Sequence, residues 1–311
     1  MKNESLHKAR KIKNDEFYTY YEDIAKELPK YKKHFKNKIV YMPCDDPAWS
    51  NFWRFFLDVF DDWQLKCIKA SFLDGFLYEF DGKHFRFEPN YGDFRQNTHI
   101  KCDIVCTNPP FSLFRDFLQC FGKKKLVFIG PITQCTTQTA IALFFYHKLF
   151  LGGVCKKFFS KQKEKKQDFG NCVWWASWPS PARLELTTRF ADKNDWQYSD
   201  DGVLCLKYVK DTPVDYKKPM LVPLSFLSCV GNYKNWMILG TKVPIINNKC
   251  VFRRFIIQNK KYYKEGEIYG TDKQLATVQL AGSQRVHQAS QQQSGECVPS
   301  LDSGPIQPSL F

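Results

Sequence analysis

The chain has 311 residues, 43% hydrophobic and 25% charged, with 28 Phe, 15 Tyr and 8 Trp, which suits a globular protein with a sizeable core and excludes a wholly disordered one. Its formal net charge of +14 favours nucleic acid as partner, because each phosphate contact by Lys or Arg releases condensed counterions. No apolar run approaches the roughly 18 residues of a membrane helix, and the 12 Cys lack a CxxC pair or a nearby His at zinc-ligand spacing, so we expect reduced thiols, no metal, no membrane and a cytoplasmic location.

Short apolar and amphipathic segments alternate along the first half of the chain. Residues 1–13 predict a flexible basic arm, and a helix is expected from Glu16 to about Leu28, where Pro29 stops it. The next elements are strand 39–42, helix 50–63 with Ser50 as N-cap, strand 65–69, strand 103–106, helix 112–120 closed by Gly122, and strand 126–129. This alternation predicts an α/β fold with a doubly wound, mostly parallel sheet, whose ligands bind beyond the carboxyl ends of the strands.

The second half of the chain differs from the first in its charge and in its predicted elements. A Lys-rich stretch at 156–166 precedes irregular strands around 171–175, 203–209 and 251–257, which predicts an appended region. Lys+Arg exceed Asp+Glu by 23 to 18 in residues 1–149, by 22 to 12 in 150–281 and by 1 to 2 in 282–311, so the net charges are +5, +10 and −1. The positive excess therefore lies mainly after residue 149, and residues 281–311, rich in Gln, Ser and Gly, predict a disordered tail.

Residues 103–111 read Asp-Ile-Val-Cys-Thr-Asn-Pro-Pro-Phe, a buried strand that ends in a polar residue, two prolines and an aromatic. An exocyclic amine on an aromatic ring is a poor nucleophile because its lone pair is delocalised. Two acceptors, the side-chain oxygen of Asn108 and the carbonyl of Pro109, would free that lone pair to attack a methyl sulfonium. Pro110 stiffens the loop, and Phe111 offers a ring on which a base can stack. The plainer alternative is a rigid turn with Phe111 in the core.

These residues resemble the amino-methyltransferases whose fourth motif is Asp/Asn/Ser-Pro-Pro-Tyr/Phe, and more closely the adenine-specific DNA methyltransferases of the EcoRI methylase type. The matching blocks are 14–19, 44–47 with 50–52, 92–94, 107–115 and, more loosely, 172–175, 213–216 and 222–227. The resemblance implies a Rossmann-like class I methyltransferase fold, S-adenosylmethionine as cofactor, and methylation of the N6 amine of an adenine flipped from double-stranded DNA in a prokaryotic cell. It also implies a catalytic core at 14–150, and the rest of the sheet with a C-terminal target-recognition region at 151–280.

The same resemblance implies a cofactor pocket made of three loops. Its residues are Phe17 and Thr19 at the methionine end, then Asp45, Asp46 and Pro47 after the first strand, and Asp93 with Phe94 at the adenine. Carboxylates suit the ammonium, ribose hydroxyls and adenine amine of such a cofactor. The Gly-x-Gly turn of most such enzymes is missing, as in the EcoRI-like group. Asp74 is a candidate ligand for the ribose. Alternatively, the acids at 45 and 46 complement a helix dipole and Asp93 is a turn residue.

Two other functions stay open at this stage. Asn-Pro-Pro-Phe/Tyr also occurs in enzymes that methylate ribosomal RNA bases or a glutamine amide, and a basic protein could retain the fold without activity. The basic second half and the order of the blocks favour DNA. No motif that we recognise indicates a cognate restriction enzyme, a prophage origin or the oligomeric state.

Overall fold

The protein is described by a computed structural model that covers residues 17–160, 163–168, 171–180, 196–230 and 235–263. The predicted basic arm at 1–13 and the predicted tail at 281–311 lie outside these residues. The strands are β1 (Tyr18–Thr19), β2 (Ile39–Met42), β3 (Cys67–Ser71), β4 (Phe76–Phe80), β5 (Phe85–Pro89), β6 (Ile104–Thr107), β7 (Lys125–Pro131), β8 (Phe150–Val154), β9 (Lys157–Ser160), β10 (Lys163–Asp168), β11 (Cys172–Ala176), β12 (Leu204–Cys205), β13 (Met220–Pro223), β14 (Trp236–Lys242), β15 (Ile245–Ile246), β16 (Lys249–Cys250) and β17 (Arg254–Asn259). The α-helices are α1 (Tyr21–Glu27), α2 (Asn51–Asp58), α3 (Phe114–Phe121), α4 (Gln138–Phe145) and α5 (Phe226–Cys229), and 3₁₀ helices cover Leu28–His34, Phe94–Gln96, Phe111–Leu113, Ile132–Thr136, Val209–Asp211 and Lys260–Tyr262.

An eight-stranded sheet in the order β5-β4-β3-β2-β6-β7-β11-β8 forms the centre of the molecule. β3, β2, β6 and β7 are parallel neighbours, and β4 and β11 run in the opposite direction to the rest of this sheet. The predicted mostly parallel α/β sheet is therefore confirmed. β8 and β11 follow residue 149 in the sequence, yet they complete this same sheet.

The two faces of the sheet carry separate cores. Because successive strand residues point to opposite faces, Trp174 and Trp175 pack into different clusters and are 1% and 0% exposed. Trp174 joins the core under α1 and α2, whereas Trp175 joins the core under α3 and α4. Both tryptophans are thus packing residues, which excludes them as exposed platforms for bases.

Three smaller sheets surround the central one. β1, β9 and β10 form a three-stranded antiparallel sheet, β12, β13, β17 and β14 form a four-stranded sheet, and β15 pairs with β16. Within the described ranges, no helix combines the length and the apolar character that crossing a membrane requires.

Several predicted boundaries are wrong. The helix expected from Glu16 starts at Tyr21, and Pro29 does not end the helical course, because it lies in the first turn of the 3₁₀ helix, where its missing N–H would have no helical partner. The helix expected at 50–63 ends at Asp58, the strand expected at 65–69 is Cys67–Ser71, and that expected at 203–209 keeps only Leu204–Cys205. The hairpin β4–β5 is absent from the prediction altogether.

Candidate active site

Two loops meet where adjacent parallel strands of the central sheet end. β2 leads into the acidic loop (residues 44–47), and β6 leads into the motif loop (residues 107–111). The two strands are paired through Val40↔Ile104 and Tyr41↔Val105, so both loops leave the same edge of the sheet side by side. The structure thus brings together the predicted catalytic loop and one of the predicted cofactor loops.

The carboxylate of Asp45 joins the two loops. It is 3% exposed. Its Oδ1 accepts a hydrogen bond from Ser50 Oγ at 2.6 Å and its Oδ2 accepts one from Thr107 Oγ1 at 2.5 Å. The backbone N–H of Asn108 lies close enough to this carboxylate to lower its pKa. Burial outweighs these donors and raises the pKa of Asp45 to about 6.

Asn108 has one satisfied and one unsatisfied side-chain atom. Its Nδ2 donates to the carbonyl of Phe17 at 2.5 Å, which fixes the orientation of the amide. Its Oδ1 is buried and has no hydrogen-bond partner among the residues that the structure describes. A buried acceptor without a donor is costly, so its presence next to a predicted catalytic loop is informative.

The same arrangement involves Thr19 on β1. Asn51 Nδ2 at the start of α2 donates to the Thr19 carbonyl at 2.8 Å, which holds β1 over the two loops. The Thr19 hydroxyl is also buried without a partner in the described part of the chain. Asn108 Oδ1 and the Thr19 hydroxyl are thus two buried polar atoms without a partner in the described residues. Their segments are joined because Asn108 contacts Phe17 and Asn51 contacts Thr19.

The rest of the motif loop is rigid and packed. Pro109 is buried, and the carbonyl of Pro110 accepts from Leu113 N at 2.9 Å, which starts the 3₁₀ helix. The ring of Phe111 is 9% exposed and packs edge to face on Phe158 of β9 at 5.8 Å. Stacking of Phe111 on a target base stays a prediction, and its packing matches the alternative of a core residue.

The remaining predicted cofactor residues lie in two turns. Asp46 Oδ1 accepts from Ala48 N at 2.9 Å, and Pro47 follows in the same turn, which leads to Ser50, the confirmed N-cap of α2. Asp93 caps the 3₁₀ helix that begins at Phe94, and its pKa is lowered by hydrogen bonds from Arg95.

The Asp93 turn lies close to the acidic loop. Cys44 of the acidic loop packs against the same core cluster as Phe94, and burial, followed by the charges of Asp45 and Asp93, raises the pKa of its thiol. Phe94 is buried and packs against Phe117 and Phe121 of α3. Asp74 accepts from Phe76 N and the Tyr78 hydroxyl, beyond the end of β3. All three predicted cofactor segments thus stand at one edge of the sheet.

Sequence reasoning missed three parts of this site. The pattern predicts Ser50 as an N-cap but not as a donor to Asp45, and it predicts no contact of Thr107 beyond the motif. The carbonyl of Phe17, which orients Asn108, is a backbone atom and leaves no mark in the sequence. A strand that ends in Thr beside an acid at the end of the neighbouring strand is the signal that could have predicted the Thr107 contact.

Comparisons of the sequence with known proteins identify its family. A family described as "Adenine-specific methyltransferase EcoRI" matches residues 5–87 and 81–294. The Type II methyltransferase M.EcoRI of Escherichia coli is 33% identical over 320 residues, covering 84% of this chain and 98% of that protein. The Type II methyltransferases M.MpnI of Mycoplasma pneumoniae and M.MgeORF184P of Mycoplasma genitalium are 31% and 28% identical, each covering 72% of this chain and 82% of the relative. No solved structure gives a significant match.

A mostly parallel sheet with Asn-Pro-Pro-Phe at the carboxyl end of one strand and an acidic loop at the end of its neighbour defines a class I amino-methyltransferase. Within that class, the chain belongs to the family of EcoRI adenine-specific methyltransferases. This membership confirms the prediction of a site-specific DNA adenine methyltransferase, and no observation favours an RNA, glutamine or inactive relative.

Proposed function

We propose that the protein transfers the methyl group of S-adenosylmethionine to the N6 amine of an adenine that is flipped out of duplex DNA. The observation that carries this proposal is Asn108 Oδ1, a buried acceptor that has no partner in the described residues and whose amide is held in one orientation by the Phe17 carbonyl. An adenine amine offers the hydrogen that this oxygen lacks.

The residues of the motif loop act on the amine. Asn108 Oδ1 and the Pro109 carbonyl accept the two amine hydrogens, which moves the nitrogen toward sp³ geometry and makes its lone pair available. Burial strengthens this effect, because Asn108 is 9% exposed and the local dielectric is low. The two prolines hold the acceptors in place before substrate arrives, and the contact between the rings of Phe111 and Phe158 supports the loop.

The site also fits the cofactor. S-adenosylmethionine supplies an activated methyl group on a sulfonium. The unpartnered Thr19 hydroxyl lies where the methionine end is expected, beside Phe17, and a hydroxyl can pair with an ammonium or a carboxylate. Asp46 with Pro47, and Asp93 with Phe94, would hold the polar groups of the nucleoside, since Asp93 stays ionised through its contact with Arg95.

Duplex DNA fits the surface next to the motif loop. The basic hairpin (β9 and β10, within residues 156–168) contains six Lys against Glu164 and Asp168. β9 pairs with β1 through Tyr18↔Phe159 and Thr19↔Phe158, so this hairpin is anchored to the strand whose Phe17 carbonyl orients Asn108. Positive charge at this position can bind the phosphates that flank a flipped base. DNA and S-adenosylmethionine share the prokaryotic cytoplasm, where we place the protein.

The test is methyl transfer from radiolabelled S-adenosylmethionine to duplex DNA, to transfer RNA and to ribosomal RNA, followed by methylation-sensitive sequencing of DNA from cells that express the protein. We expect label in DNA at N6 of adenine within one short sequence. Label in RNA and not in DNA would refute the substrate, and an absence of cofactor binding would refute the enzyme. Asn108→Ala is the control for transfer by a contaminating methyltransferase.

A further inference from the structure

The geometry points to a role for Asp45 that differs from cofactor binding. We propose that the ionised carboxylate of Asp45 is a positioning residue that holds Thr107 and Asn108 in the reactive arrangement, so that methyl transfer requires Asp45 to be deprotonated although it touches neither substrate nor cofactor. The inference rests on the proposed function, because it concerns the rate at which Asn108 assists the reaction.

The hydrogen bonds of Asp45 are made with groups of the protein itself. Ser50 Oγ donates to one of its oxygens and Thr107 Oγ1 to the other, and the nearby N–H of Asn108 favours the ionised form. Ser50 Oγ in turn accepts from Phe52 N at 3.1 Å as the N-cap of α2. A single carboxylate therefore connects the start of α2 with the motif loop, across the β2–β6 pair. With both oxygens engaged and the residue 3% exposed, direct contact with a cofactor ammonium is disfavoured.

Protonation would disturb this arrangement. A carboxylate accepts from both hydroxyls and attracts the nearby N–H of Asn108, whereas a carboxylic acid carries a proton that must point at one of these groups. The hydroxyls of Ser50 and Thr107 can rotate to accept that proton, but the N–H of Asn108 cannot. A proton on Asp45 therefore weakens either the N-cap of α2 or the hold on the motif loop.

The charges around Asp45 place this change near neutral pH. Burial is the largest influence and raises the pKa of Asp45 to about 6, the three donors lower it, and the charge of Asp46 raises it further. Among the residues that the structure describes, the thiols of Cys44 and Cys106 also face Asp45, and they stay neutral because burial, aided by Asp45 itself, raises their pKa well above 9. Asp45 is therefore ionised at pH 7.5 and protonated in mild acid.

The sign of the stability effect is opposite to that of the activity effect. Because the folded pKa of about 6 exceeds the usual value of 3.8, the folded state binds this proton more tightly than the unfolded state between these two values. Through this group alone, lowering the pH from 6 toward 4 stabilises the fold, yet it removes the ionised form that catalysis needs. A merely structural carboxylate would lose activity only together with stability.

The experiment measures single-turnover methyl transfer at saturating DNA and cofactor from pH 5 to pH 8, together with urea unfolding at each pH. For the wild type we expect the rate to decline below about pH 6, with a limiting slope of about tenfold per pH unit. Asp45→Asn should lower the rate at pH 7.5 by about 10- to 100-fold through misplacement of Asn108, abolish the acid decline, and leave the Kd of S-adenosylmethionine within about threefold.

Two further variants control for general damage. Thr107→Val should lower the rate as Asp45→Asn does, and combining the two substitutions should lower it little further. Thr107→Ser, which keeps the hydroxyl, should retain the rate of the wild type. Asp103→Asn is the matched control: Asp103 precedes the same strand β6 and accepts from Ile39 N at 2.8 Å, but at the other end of that strand. It should keep the acid decline of the wild type.

Several results would overturn the inference. A weaker Kd for S-adenosylmethionine in Asp45→Asn with an unchanged saturated rate would make Asp45 a cofactor ligand, and an acid decline that survives in Asp45→Asn would locate the titrating group elsewhere. If the wild type methylates nothing, the proposed function fails instead. The role of the Asp45 carboxylate is then tested by stability instead of by activity. The difference in free energy of unfolding between wild type and Asp45→Asn must change between pH 4 and pH 6.5. A difference that does not change with pH refutes the inference. If Asp45→Asn does not fold, Thr107→Val replaces it.

Discussion

Replacing Asn108 with alanine removes a buried acceptor on which the proposed chemistry depends. Asn108 Oδ1 has no donor in the described structure, and Nδ2 makes one hydrogen bond to the Phe17 carbonyl. We expect the Asn108→Ala enzyme to fold, bind DNA and bind the cofactor, but to transfer methyl groups very slowly.

The magnitudes follow from these two atoms. Loss of the bond to Phe17 costs about 0.5–1.5 kcal/mol of folding free energy, whereas removal of an unsatisfied buried acceptor returns about 1–3 kcal/mol. Stability should therefore stay level or rise slightly. In the transition state, a preorganised hydrogen bond to a developing charge contributes about 10²- to 10³-fold in rate, which is the expected loss in kcat. The Kd values for DNA and cofactor should change by less than about threefold.

The assay combines single-turnover methyl transfer, DNA binding by fluorescence anisotropy, and urea unfolding. Asn259→Ala is a matched control, because Asn259 Nδ2 likewise donates to a backbone carbonyl, that of Val214, in the four-stranded sheet. It should lose some stability and keep its kcat at saturating DNA. If Asn108→Ala lost DNA affinity and rate equally, the assignment of Asn108 to the reacting amine would be wrong.

Three further predictions concern the core, the N-terminal helix and the basic hairpin. Gly130→Ala should destabilise the fold by about 1–3 kcal/mol in urea unfolding, because a Cβ there would lie 2.4 Å from the Phe114 ring; an unchanged midpoint would show that the ring can move. Glu27→Ala should lower the free energy of unfolding by about 3 kcal/mol. The reason is that its carboxylate, 3% exposed, accepts from Gly153 N and Tyr31 Oη and pairs with Lys30. Glu22→Ala on the same helix is the control, and equal losses of stability would contradict the argument. Replacing three hairpin lysines by Gln should reduce the slope of log Kd for DNA against log salt by about 2–3 while kcat at saturation stays constant, and an unchanged slope would exclude phosphate contacts by Lys163, Lys165 and Lys166.

The sequence predicts the elements whose signals are local. β2 has the predicted bounds because Ile39–Met42 is an apolar run between Lys38 and Pro43, and Ser50 caps α2 as its position before an amphipathic segment indicates. The hairpin β4–β5 could also have been predicted, since the four residues Asp81-Gly82-Lys83-His84, which include an Asp-Gly turn signal, separate two alternating aromatic runs. Pro29 misled the helix prediction because the rule for prolines inside helices does not apply to a first turn.

The site was predictable only in part. Thr107-Asn108-Pro109 and Asp45 could be chosen because their residue types suit the chemistry and because the ends of parallel strands share one edge. The hydrogen bond between Asp45 and Thr107 joins residues 62 positions apart, and its partners are set by the register of β2 on β6. Tertiary packing also turned the Phe111 ring toward Phe158, which no local pattern of the chain encodes.

The pairing of β1 with β9 has a consequence for biosynthesis. Thr19 lies near the start of the chain and its partner Phe158 lies beyond the middle, with the whole Asn-Pro-Pro-Phe motif between them. On the ribosome, the motif emerges well before the strand that fixes β1, so a nascent chain that already contains Asn108 still lacks the support for the Phe17 carbonyl. The Phe17 carbonyl can therefore be held against Asn108 by the β1–β9 pairing only after β9 has left the ribosome.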